Sequence, residues 1–111
     1  MRAYLIDPLA RSVTEVDYNG DIHQIYEFIH ADVFDTCRIN AHGDEIFVDD
    51  MGLMKEQTVA NFFCHENYPQ PLAGRGLVLG CDDDGETTAP VASIEEVTEQ
   101  ISFGLPQRYW P

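Results

Sequence analysis

The chain has 111 residues, 44% of them apolar, and carries twenty Asp and Glu against six Lys and Arg, for a formal net charge of −14. The length suits one domain with a single core, and the apolar share argues against disorder. The charge repels nucleic acid and anionic membrane surfaces, whereas it favours encounter with basic protein surfaces.

The elements follow in chain order. Ala3–Ile6 is a short apolar run stopped by Asp7-Pro8, and Ser12–Tyr18 is rich in β-branched residues. The two read as strands of a hairpin. After the Asn19-Gly20 turn, Asp21 is placed to cap a helix, with Gln24 three residues on. Ile22, Ile25, Tyr26 and Ile29 recur at helical spacing. They predict an amphipathic helix from Asp21 to about Ala31 whose apolar face covers a sheet.

Val33 to Ile39 reads as a third strand, and Asn40–Asp44 as a hairpin loop. Glu45–Asp49 is a fourth strand, with Ile46 and Val48 on the face opposite Phe47. Asp50-Met51-Gly52-Leu53 opens a connection, and Asn61–His65 is a fifth strand. The loop Asn67–Gly76 follows. Pro69 and Pro71 remove backbone donors there, so this part is not central strand. Gly74 and Gly76 flank Arg75 and permit unusual dihedrals and close backbone approach. Leu77–Cys81 is a sixth strand, and Asp82–Glu86 an exposed turn. Ser93 and Glu96 form a capping box for a second helix running to about Phe103, where Gly104 stops it.

The order is therefore ββα-ββββ-α. It predicts an α+β domain over residues 1–103, a mostly antiparallel sheet of five to six strands with two helices packed on it, and a tail over 104–111. Tyr109 and Trp110 in that tail are free to pack back on the domain or to move. Cys37, Cys64 and Cys81 are odd in number and form no C-x-x-C pair, so no disulfide framework is expected. No signal-peptide core precedes Asp7-Pro8, and no apolar stretch approaches the roughly 20 residues of a membrane helix. The expectation is a soluble cytoplasmic protein with reduced thiols.

Signals for chemistry are few. With Gly85 at the sixth position of a calcium loop, Gly80 falls at the first and Val91 at the twelfth, and neither is a ligand. His23 and His30 lie two helical turns apart, too far to share one zinc without other ligands. No Ser stands in an elbow motif, and no Cys has an evident His partner. Gly74-Arg75-Gly76 precedes a strand, not a helix, so no phosphate cradle follows from it. No metal, cofactor or catalytic residue is expected.

Asp7-Pro8, the segment Val48-Asp49-Asp50-Met51-Gly52-Leu53, and above all the stretch from Tyr68 to Gly80 resemble a family of small uncharacterised domains found in bacteria, phages and plasmids. The likeness covers most of residues 1–103. It implies a mobile-element accessory protein, and carries no catalytic residue over, because the family has no assigned activity. By analogy with small acidic phage proteins, it suggests a counter-defence factor acting on restriction or CRISPR machinery.

The leading expectation is a non-catalytic protein that presents acids to a basic surface on a protein partner such as a nucleic-acid-handling defence enzyme. Asp44, Glu45, Asp49, Asp50, Asp82, Asp83 and Asp84 are the acids expected at that contact. Twenty carboxylates approach the charge density of B-DNA, but a DNA mimic needs them on one stripe. A second reading is a small-ligand or nucleotide module in which Tyr68 stacks, Gln70 hydrogen-bonds and Arg75 meets a phosphate. A third is a self-associating domain in which the loop and the Tyr109-Trp110 tail form a homodimer contact.

Overall fold

The computed structural model describes residues 1–52, 55 and 58–110. Leu53 of the connection after Asp50, and Pro111 of the tail, lie outside the described residues. The architecture is α+β, with two helices and two antiparallel sheets. The larger sheet has six strands. β1 (Arg2–Asp7) and β2 (Ser12–Asp17) form the N-terminal hairpin, and β3 (Phe34–Arg38) and β4 (Glu45–Asp49) form a second one. Neither hairpin pairs with the other in the sheet. β5 (Phe62–His65) and β6 (Leu72–Ala73) belong elsewhere, and β7 (Gly76–Cys81) inserts between β1 and β4, giving the order β2-β1-β7-β4-β3. The short β8 (Thr87–Thr88) pairs with the end of β7.

Alternation along the central strands explains why their sequences are apolar without a break. Tyr4, Ile6, Ile46, Val48 and Val78 face one core, while Ala3, Phe47, Leu77 and Leu79 face another. Helix α1 (Ile22–Ile29) closes the second core with Ile25 and Ile29. Asp21 caps it as expected, accepting from the His23 N–H at 2.9 Å. Gln24 instead reaches back to the Asn19 N–H at 2.8 Å. Ile22, the first residue of α1 and of the predicted apolar face, is 48% exposed.

The first core is closed by helix α2 (Ile94–Gln100) and by the smaller sheet, whose order is β6-β5-β9. This corrects two expectations. The fifth strand lies outside the main sheet, and the second helix ends at Gln100, with Ile101–Phe103 forming β9 against β5. Ile101 still falls at helical spacing from Val97, but as an extended residue it aligns with His65, and ladder bonds replace another helical turn. Ser93 caps α2 by accepting from the Glu96 N–H at 3.1 Å. The start of the tail is tied down: the N–H groups of Gly104 and Leu105 donate to Phe62 O at 2.7 Å and Val59 O at 2.9 Å. Tyr109 and Trp110 are half exposed. Among the described residues no helix is long and apolar enough to cross a membrane.

Candidate functional site

The seven acids singled out in sequence have different environments. Asp44 is not on the surface at all: it is 0% exposed. Its Oδ1 accepts from the Val91 N–H at 2.8 Å, and its Oδ2 from the Ala92 N–H and the Asn40 amide, both at 2.9 Å. Asn40 Oδ1 in turn accepts from the Asp44 N–H at 3.1 Å. The carboxylate thus ties the β3–β4 corner to the segment that enters α2, and burial is tolerated because its oxygens are hydrogen-bonded. It is removed from the expected partner surface.

Glu45, Asp82 and Asp83 line one cleft with Arg38, His42 and Cys81, and Asp84 lies in the same exposed turn. Asp82 folds back on that turn, accepting at Oδ1 from the N–H groups of Asp84 and Glu86 at 3.0 and 2.9 Å. Asp49 ends β4 and Asp50 follows it, about 13 Å from Glu45 at ordinary strand rise. There, with Asp35, they line a cleft of about 190 Å³. Asp49 is engaged already, meeting Lys55 Nζ at 2.6 Å. The acids therefore form two groups at opposite ends of a strand, not one patch.

The Pro/Gly loop keeps its predicted geometry. Gly74 has φ +81°, and a Cβ on Gly76 would come within 2.8 Å of both Ile46 and Phe63. Leu72 and Ala73 form an edge strand just after Pro71, where a missing donor costs no ladder bond. The loop's polar side chains do not converge, however. Tyr68 and Gln70 line the acidic cleft with Cys37, whereas Arg75 lines a separate cleft of about 300 Å³ with Asp7, His30, Lys55 and Asn61. Arg75 is held by Asp7 at 3.4 Å and by Phe28 O at 3.5 Å. Burial pushes the Cys37 thiol up, and a hydrogen bond with Tyr68 only partly opposes that, so Cys37 rests as a thiol. Among the described residues no three of the His, Cys, Asp and Glu side chains are grouped to hold a metal ion.

Sequence reasoning passed over a third acidic region. Glu95 and Glu99, four apart on α2, share a face, and with Val13, Ile94 and Thr98 they line a groove of about 320 Å³ between α2 and β2. The i, i+4 spacing of the two glutamates was the available signal. Among the described residues only three ion pairs occur, at Asp7, Asp17 and Asp49.

The fold and surface define a small two-sheet α+β domain with acid-lined clefts. Residues 1–102 match the family model described as "Domain of unknown function (DUF3846)", and the chain belongs to that family. Comparison with curated proteins and with solved structures gave no match.

Proposed function

We propose that this protein is a non-catalytic binding module that engages a basic surface on a protein partner. One observation carries the reading: most of the acids face solvent, and the only side-chain cations paired with any of them, among the described residues, are Arg75 and Lys55. Like charges held this densely repel one another, and a basic partner relieves that repulsion as it docks. Enzymes that handle nucleic acid present such basic surfaces. In the setting of a phage or plasmid accessory protein, an inhibitor of such a defence enzyme fits this chemistry.

The small-ligand reading has less support, since Tyr68 and Gln70 line one cleft and Arg75 another. A homodimer through Tyr109 and Trp110 would bring together two chains of net charge −14.

The test is capture of partners from host lysate at low and at high salt, repeated with Asp82, Asp83 and Asp84 changed to Lys, and separately with Glu15, Glu95 and Glu99 changed to Lys. The expected result is a partner held at low salt, released at high salt, and lost with at least one charge-reversed set. Partner binding indifferent to salt and to both sets would sink the proposal.

A further inference from the structure

Building on that reading, we propose that the outer edge of β2, together with the groove between β2 and α2, docks an extended partner segment that alternates apolar and basic side chains. β2 is the end strand of the main sheet, and no strand among the described residues covers it. The ladder's phase shows which groups are free. Met1 and Tyr18 exchange two backbone bonds, at 2.7 and 2.8 Å. Antiparallel pairs alternate between bonded and non-bonded, so Val16, Thr14 and Ser12 also bond inward to β1. The backbone N–H and C=O groups of Val13, Glu15 and Asp17 then point away from the sheet. These are the groups that an added strand pairs with.

The opposite edge of the same sheet is blocked at its centre. There Ile39 donates inward to Asp44 O, so Thr36 points outward by the same alternation. Its N–H is taken by Asp35 Oδ1 at 2.8 Å. No side chain of β2 closes its own edge in that way.

The side chains beside the open edge select the occupant. Val13 pairs with Ile6 and Glu15 with Tyr4, so both project to the α2 side of the sheet. Val13 and Ile94 floor the groove, and Glu95 and Glu99 rim it. Glu15, Glu95 and Glu99 have no intramolecular cation among the described residues. A segment lying along β2 therefore meets, at every second residue, an apolar position at Val13, the acid Glu15, unpaired among the described residues, and Asp17, which is 90% exposed and shares its charge with the Met1 ammonium at 3.1 Å. An apolar side chain followed at alternate positions by two basic ones matches it. A second copy of this chain brings its own net charge of −14 and is repelled.

The test uses a short synthetic peptide with one Val and two Lys at alternate positions and Thr between them, titrated into the whole protein at low salt with amide NMR shifts as readout. Shifts should concentrate on Val13, Glu15 and Asp17. Glu15→Pro removes an outward donor without breaking the β1 ladder and should weaken binding about tenfold, the loss of one main-chain bond. Glu15→Gln, which keeps the donor, should weaken it less. Thr36→Pro on the other edge should leave it unchanged. Glu95→Lys with Glu99→Lys leaves the strand intact and should also weaken binding, so the idea stands or falls even if the proline variant does not fold. Absence of binding, or equal binding to all these variants, would overturn it. Shifts confined to residues 82–86 would overturn the β2 site while leaving the acidic-surface reading in place. Dimerisation through β2, lost in Glu15→Pro, would show that the edge serves a second copy and would overturn the proposal.

Discussion

The β3–β4 corner and the β7–β8 turn lie side by side, are both rich in acids, and use them in opposite ways. In the corner, Asp44 is sealed from water and satisfies backbone groups 47 and 48 residues away. In the turn, Asp82 satisfies only its own neighbours, and Asp83 and Asp84 point into solvent. The corner's acid is a structural brace that happens to be charged. The turn's acids shape little beyond the turn itself, and their charge is available to something outside the chain.

Three measurements would break or sharpen that contrast. Asp44→Ala should have the largest effect, since it leaves the buried Ala92 N–H, the part-buried Val91 N–H and the Asn40 amide without an acceptor. A loss of about 3 kcal/mol is expected, mostly from the donors left unsatisfied, read as a drop in the urea midpoint. A loss below 1 kcal/mol would mean that the corner is no more built than the turn.

The histidines divide in the same way. His42, in the corner loop, is exposed, while His65 is buried in β5, opposite Ile101 of β9. His65 Nδ1 accepts from the Asn67 N–H at 3.0 Å, so Nε2 carries the proton donated to Gln100 at 2.9 Å. Burial holds the His65 pKa below its ordinary value, outweighing the opposing pull of Gln100. The unfolded chain therefore takes up the proton more readily. The contribution of His65 to stability is complete above about pH 6.5 and fades as pH falls from there towards the folded value. Between about pH 7.5 and 5.5 the urea midpoint should fall more for the natural chain than for His65→Gln.

The smallest effects belong to the turn. Asp82→Ala should cost about 1 kcal/mol for its two backbone contacts. Asp83→Asn should change stability by less than about 0.5 kcal/mol. A larger loss at Asp83 would mean that the turn is structural after all.

Much of the fold was readable because it depends on local signals. Asp21 and Ser93 cap the helices they were expected to cap, and the unbroken run Leu77-Val78-Leu79 does lie in a strand covered on both faces. What escaped is tertiary. Leu72–Ala73 and Thr87–Thr88 are too short to show any periodicity. Ile101 continues the helical spacing of α2, and only the presence of β5 beside it decides for a strand. Asp44 looks like any member of an acidic cluster, because its partners at Val91 and Ala92 are remote in sequence. Of the acids expected at a contact, those of the turn are exposed, and the open edge beside Glu15 appears only once the strand order is known.

The position of β7 also bears on how the chain comes to be folded at all. During synthesis the β1–β2 and β3–β4 hairpins emerge early, yet neither can join the other until residues 76–81 arrive to pair with both. Until then the inner edges of β1 and β4 are bare and carry Leu5, Ile6, Ile46 and Val48. Closure across so long a stretch of chain is slow, and the waiting edges are the kind that chaperones hold and that aggregate when they are not held. The main sheet therefore cannot be completed, however quickly either hairpin forms, before β7 is there to pair with both.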